Sequence, residues 1–168
     1  DVKNFAEDLA ARAPKVLVVE DVNLKNFNSI LYQQTLSSLI SKYQPCLLLM
    51  GHSAFGMDLA PSLSVETDFP LATDCIDLSF EDNRLKATRS IYGGKVNANI
   101  SLRESKGYIA TIRPGIFSPK MVGEKKGGIV MESSPLQGMV DVKKFIEYIE
   151  APITGEDITQ AEILISVG

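Results

Sequence analysis

The stretch from Gly51 to Pro61, GHSAFGMDLAP, holds the residues of this chain whose types and spacing could do chemistry. It follows an apolar run, residues 46–50, that is typical of a buried strand. A strand that ends in Gly-x-x-x-x-Gly before a helix-compatible segment forms a βα turn. In open α/β sheets, ligands and partners usually meet such turns at the carboxyl ends of strands. Gly51 and Gly56 would let the backbone approach whatever docks there.

Two known motifs resemble this turn, and each fails on particular residues. A P-loop requires a lysine directly after the second glycine, where this chain has Met57. The nucleophile elbow Gly-x-Ser-x-Gly matches Gly51-His52-Ser53, but the closing glycine arrives one residue late, at Gly56. His52 is the chain's only histidine, and as the neighbour of Ser53 it is badly placed to act as its base. We therefore predict no catalytic residues.

Two charged residues complete the set of candidate site residues. Asp58 follows Gly56 at the start of a predicted helix, where it would either complement the helix dipole or contact a partner. Arg113 precedes Pro114, which restrains it to an extended conformation and so fixes its direction. It would form either a salt bridge across the sheet end or a contact with a partner. Gly51, Gly56, Asp58 and Arg113 are our candidate partner-interface residues.

Composition excludes several classes of function. Among 168 residues 45% are apolar, which is ample for a packed core, and the net charge is −4, so nothing attracts nucleic acid or anionic lipid. The longest apolar run is far too short for a membrane helix. Cys46 and Cys75 lie in apolar, strand-like surroundings, and we expect both to be buried rather than to bind a metal. Low cysteine content fits a reducing compartment, and we expect the cytoplasm.

The hydrophobic pattern predicts an α/β fold. Its first half reads as a helix over 1–12, a strand over 15–20, a helix from Asn26 or Asn28 to about Tyr43, a strand over 46–50 and a helix over 55–67. Pro61 is tolerable only in the first turn of that last helix. Strand, helix and strand over about 35 residues predict a βαβ unit with a parallel, right-handed crossover.

The pattern changes after Pro70. Strands are predicted over 72–80, 84–90, 96–102 and 107–113, and tight turns between them indicate an antiparallel meander. Residues 118–138 are rich in Lys, Gly, Ser and Pro and predict a surface loop or linker. The expected architecture has three layers and is doubly wound, with a mostly parallel sheet and an added antiparallel meander.

Several motifs, in order, resemble the amino-terminal domain of the electron-transfer flavoprotein alpha subunit. The turn matches that family's G-A-T-x-x-G-x-D-L-A-P-R segment at six positions and departs from it at His52, Ser53 and Ser62. The matches are Gly51, Gly56, Asp58, Leu59, Ala60 and Pro61, the strand 15–21 (KVLVVED), Thr73-Asp74-Cys75, Tyr92-Gly93-Gly94 with Ala98, and the segment 112–117 (IRPGIF). The resemblance implies a Rossmann-like fold of the adenine-nucleotide-hydrolase-like type.

The resemblance also implies a function. Proteins of that family are heterodimers of an alpha and a beta subunit, and they carry electrons through FAD from acyl-CoA-type dehydrogenases to an acceptor. They are electron carriers rather than enzymes. The alpha subunit holds FAD mainly in its carboxy-terminal domain, while its amino-terminal domain packs as a scaffold against the beta subunit. The family's strand into the flavin domain ends V-x-G-R-G, whereas this sequence stops at Ser166-Val167-Gly168, so no FAD-binding residue is carried over.

These observations lead to an expected domain division. We expect residues 1–150 to form the scaffold domain, and residues 151–168 to form a hinge and the first strand of an FAD-binding domain that lies outside this sequence. The chain is thus expected to be a fragment truncated at both ends. The alternative is a free-standing nucleotide-binding α/β module whose site lies around Gly51 to Gly56.

Overall fold

The computed structural model describes residues 2–118, 127–138, 143, 145–149, 158 and 161–167. Its elements, in chain order, are α1 (Val2–Ala10), β1 (Lys15–Val19), a short 3-10 helix (Val22–Leu24), α2 (Ser29–Tyr43), β2 (Leu47–Gly51), α3 (Ala54–Thr67), β3 (Leu71–Glu81), β4 (Arg84–Ile91), β5 (Val96–Ser101), β6 (Tyr108–Ile112) and β7 (Gly128–Glu132). The predicted α/β class, with parallel strands and an antiparallel meander, is confirmed.

The larger sheet has five strands in the order β2-β6-β3-β4-β5. β3, β4 and β5 form the predicted antiparallel meander. The prediction that β6 continues this meander was wrong, because β6 lies between β2 and β3 and runs parallel to both. Its residues from Tyr108 to Thr111 are all buried, as expected of a central strand covered on both faces.

A second, two-stranded sheet pairs β1 with β7 in parallel, Lys15 opposite Gly128. The prediction that residues 118–138 form only a loop was therefore wrong, since β7 lies within them. Glu132, the last residue of β7, binds the end of α2 through Lys42 Nζ at 2.5 Å and through the Tyr43 hydroxyl. β1 and β2 do not pair within the described residues, so the predicted βαβ unit does not have adjacent strands.

The core of the large sheet has two parts. On one side Ile109 packs with Leu59, Ala60 and Leu63 of α3. A second cluster, drawn from the sheet strands, centres on Ala72, Cys75, Leu85, Ala87, Tyr108 and Ala110. Cys75 is buried as predicted, but the prediction for Cys46 was wrong: it precedes β2 and is exposed.

Local signals set the helix ends. The Asn28 side chain accepts hydrogen bonds from the Ile30 and Leu31 N–H groups and caps α2. α3 begins at Ala54, so Pro61 lies inside the helix, beyond the first turn. The helix tolerates the lost backbone hydrogen bond because the residues around Pro61, including Ala60 and Leu63, are packed in the core.

The described residues near the end of the sequence leave the predicted domain division untested. Residues 161–167 are exposed and form no strand, so the strand predicted there is not observed. Most of residues 150–160 lie outside the described residues, and the boundary near 150 stays a prediction. In the part of the chain that the structure describes, each helix is too short or too polar to span a bilayer.

Candidate functional site

The turn after β2 is built around Ser53. Its backbone is extended, and its side chain accepts a hydrogen bond from the Gly56 N–H at 3.3 Å, so Ser53 is the N-cap of α3. His52 does not turn towards this hydroxyl; its Nδ1 atom lies 2.9 Å from Thr111 Oγ1. Ser53 therefore serves the helix, and the geometry of a hydrolase dyad is absent from this turn.

Replacing Ser53 with alanine is expected to destabilise the domain by about 1 kcal/mol, because α3 loses its cap. Esterase activity towards an activated ester should be the same for both proteins, since no base contacts the hydroxyl. Urea unfolding and an ester-hydrolysis assay of the wild type and the variant measure the two quantities. A fluorophosphonate adduct on Ser53 would contradict this assignment.

Gly56 is buried beneath the end of β2. A Cβ atom on Gly56 would lie 2.0 Å from the Gly51 carbonyl oxygen, a distance that no side chain tolerates. Gly56 thus lets α3 start directly against the strand, and it shapes the turn without presenting surface of its own. Gly51 is exposed, and a Cβ atom there would meet nothing within 4 Å.

Thr111 ties the carboxyl ends of β2 and β6 to the middle of β3. It is fully buried, and its Oγ1 atom contacts His52 Nδ1 at 2.9 Å while accepting the Asp74 N–H at 3.0 Å. The His52 N–H also donates to the Ile112 carbonyl at 2.7 Å. The segments that follow β2 and β6 are therefore held side by side with the middle of β3.

Arg113 forms the salt bridge that was one of its two predicted roles. Its Nε and Nη2 atoms bind the two carboxylate oxygens of Asp74 at 3.0 and 2.6 Å. This hydrogen bonding holds the pKa of Asp74 below its usual value. Asp74 has a φ of 55°, in the left-handed region that most residues avoid, so the pair fixes an unusual backbone. Sequence reasoning identified Arg113 but did not pair it with Asp74, which is 39 residues away.

Asp58 is exposed and lies in the second turn of α3. The helix dipole acts mainly within the first turn, which contains no acidic residue. The structure therefore does not favour a role for Asp58 in complementing that dipole. Asp58 instead lines a cavity of about 370 Å³ with Asn26 and Asn28, which lie just before α2. It stays a candidate for contact with a partner.

Large apolar side chains are exposed at the same edge of the sheet. Phe55 and Met57 follow β2 and are 59% and 51% exposed, and Ile116 and Phe117 follow β6 and are 42% and 54% exposed. β2 and β6 are parallel neighbours that end level with each other, so both pairs follow strand ends at the same edge of the sheet. These four residues and the Gly51 turn are here called the carboxyl-edge surface. Sequence reasoning missed it, although apolar residues directly after a strand end were a visible signal.

The described residues offer no metal site. Neither residues 2–118 nor the shorter described stretches bring three or more His, Cys, Asp or Glu side chains together as metal ligands.

Comparison with known proteins identifies the family of this chain. Residues 1–135 match the family described as "Electron transfer flavoprotein domain". The electron transfer flavoprotein alpha subunit of Megasphaera elsdenii is 27% identical over 172 residues, covering 100% of this chain and 51% of the relative. The Bacillus subtilis (strain 168) alpha subunit is 29% identical over 170 residues, with 100% and 51% covered.

A third relative has a different name. "Lactate dehydrogenase (NAD(+),ferredoxin) subunit LctC" of Acetobacterium woodii is 29% identical over 156 residues, covering 92% of this chain and 37% of that protein. The chain spans about half the length of the alpha subunits it matches. The chain belongs to the electron transfer flavoprotein family.

Proposed function

We propose that the complete protein is the alpha subunit of an electron transfer flavoprotein. It forms a heterodimer with a beta subunit and carries electrons through FAD from an acyl-CoA-type dehydrogenase to an acceptor, as an electron carrier of the cytoplasm rather than an enzyme. Residues 1–150 act as the scaffold that docks the beta subunit. The family match over residues 1–135 and the similarity of the whole chain to about half of each alpha subunit support this assignment.

The carboxyl-edge surface is the observation that carries the docking role. Protein interfaces combine an exposed apolar centre with polar residues at the rim. Here Phe55, Met57, Ile116 and Phe117 supply the apolar part, and Asp58 supplies a charge beside it. Gly51 lets a partner approach the backbone at the strand end. Arg113 contributes indirectly, because its charge is already bound to Asp74.

We assign FAD binding to the part of the complete protein beyond residue 150. The chain covers about half of each alpha subunit it matches, and the βα turn after β2 lacks the lysine of a phosphate-binding loop. The side chains at that turn, Ser53 and His52, are hydrogen-bonded within the fold instead.

A nucleotide-binding module is the second candidate function, and one feature favours it. A cavity of about 480 Å³ beside Gly51 and Gly56 is lined by the aromatic residues Phe27, Tyr32 and Phe55. Aromatic rings in such a crevice could stack on a nucleotide base.

Co-expression of the complete alpha subunit with its beta subunit tests the proposal. We expect a one-to-one complex that retains FAD, while a protein of residues 1–168 mixed with excess FAD should be colourless after desalting. If residues 1–168 keep near-stoichiometric flavin, the scaffold assignment is wrong and the nucleotide-binding module is favoured. Complete subunits that do not associate would also contradict the proposal.

A further inference from the structure

Arg89 occupies an unusual place on β4. It lies opposite Cys75 of β3 and Ala98 of β5, and residues directly opposite each other share one face of a sheet. Cys75 is fully buried, and so are Leu85 and Ala87, which precede Arg89 on its own face. On this face of β4, Arg89 therefore follows two buried apolar residues and precedes the half-buried Ile91.

This guanidinium has no partner in the described structure. Arg89 is half-buried, and its Nε atom is inaccessible to solvent without a hydrogen-bond acceptor. Arg89 takes part in none of the ion pairs among the described residues. Arg113, at the same edge of the sheet, binds both carboxylate oxygens of Asp74. Removing a charge from water is costly unless a partner replaces the lost solvation. An acceptor from outside the described residues would supply that partner.

The neighbouring charges indicate which acceptor fits. Arg113 and, more weakly, His52 and Arg89 lower the pKa of Asp74, so Arg89 lies within the field of this carboxylate. Both oxygens of Asp74 are already bound to Arg113, which leaves Arg89 as one unbalanced positive charge. A single planar carboxylate matches that charge and the fork of the guanidinium. A phosphate dianion would bring a second negative charge towards Asp74.

We infer that Arg89 receives the carboxylate of an aspartate or glutamate side chain of the beta subunit when the two subunits assemble. This inference rests on the proposed function. Cys75 lies opposite Ile112 as well as Arg89, which puts Arg89 level with the carboxyl end of β6. The ion pair would thus stand next to the carboxyl-edge surface and add orientation to its apolar contacts.

Measuring assembly of the complete alpha subunit with its beta subunit tests the inference. Arg89→Leu should raise the dissociation constant about 30-fold or more, because it leaves the partner's carboxylate unpaired. The melting temperature of the alpha subunit alone should stay the same or rise. Arg84→Leu is the matched control, since Arg84 is an exposed arginine at the other end of β4, and its dissociation constant should change less than twofold. Equal constants for the wild type and Arg89→Leu would overturn the inference.

A cross-linking experiment identifies the acceptor even if Arg89→Leu does not fold. The Arg89→Lys variant keeps the charge and offers an amine, so a carbodiimide should join position 89 to an aspartate or glutamate of the beta subunit, as read by mass spectrometry. A heterodimer that forms without this adduct would overturn the inference and leave the proposed function standing. Inorganic phosphate that binds the wild-type alpha subunit but not Arg89→Leu would also overturn it. Wild-type subunits that fail to assemble would remove the proposed function and this inference together.

Discussion

Replacing Gly56 with valine is expected to cost about 3 kcal/mol of stability, because overpacking here forces apart a strand and a helix rather than two side chains. The new Cβ atom would lie 2.0 Å from the carbonyl oxygen of Gly51, which belongs to β2 and cannot rotate away. Amide hydrogen exchange of residues 47–67 in the complete alpha subunit should be faster by roughly 100-fold, the factor that this free energy implies.

Gly51→Ala is the control for that experiment. A Cβ atom at Gly51 meets nothing within 4 Å, so exchange in the same peptides should differ little from the wild type. If Gly56→Val leaves exchange unchanged and weakens only subunit assembly, Gly56 serves docking and our structural account of it is wrong.

Replacing Asp74 with alanine is expected to destabilise the alpha subunit by about 2 kcal/mol. Two effects add together. Alanine is less tolerant of a φ of 55° than aspartate, and Arg113 loses both of its hydrogen bonds to the carboxylate. The side chains of Arg113 and Asp74 are 36% and 23% exposed, so solvent screening keeps the ion pair's share modest. Urea unfolding followed by circular dichroism measures the loss.

Asp74→Asn separates charge from backbone conformation, since asparagine also tolerates the left-handed region. The folded-state pKa of Asp74 is lowered by Arg113, so its contribution is fully present above the unfolded pKa and is lost as pH falls through the folded pKa. The stability difference between wild type and Asp74→Asn should be constant above about pH 5 and should shrink at lower pH. A difference that grows on acidification would contradict this role.

Sequence reasoning located elements whose signals are local. The Asn28 cap and the strand before Gly51 were predicted, and the structure has both. Parallel or antiparallel pairing of β6 was not predictable, because the apolar run 108–112 looks the same in either arrangement. β7 was hidden because its surroundings are rich in Gly, Lys and Ser, and only its contact with β1 makes it a strand.

The candidate site residues show the same difference between local signals, which were predicted, and distant contacts, which were not. The direction of Arg113 followed from Pro114, a neighbour in sequence, but its partner Asp74 belongs to another strand. Gly56 was identified for the right physical reason, close approach of backbone, yet what approaches it is Gly51 of its own chain. Arg89 gave no signal at all, since an arginine in a strand is unremarkable until its burial and lack of a partner are known.

The insertion of β6 between β2 and β3 sets an order of events during synthesis on the ribosome. β3, β4 and β5 are joined by short turns and can pair as soon as they emerge. β2 must wait for its partner β6 until residue 112 has been made, and β1 must wait for residues 128–132. Such late pairing leaves unsatisfied strand edges on the nascent chain for many seconds at ordinary translation speeds. The parallel half of this domain is therefore the half that pairs last during synthesis.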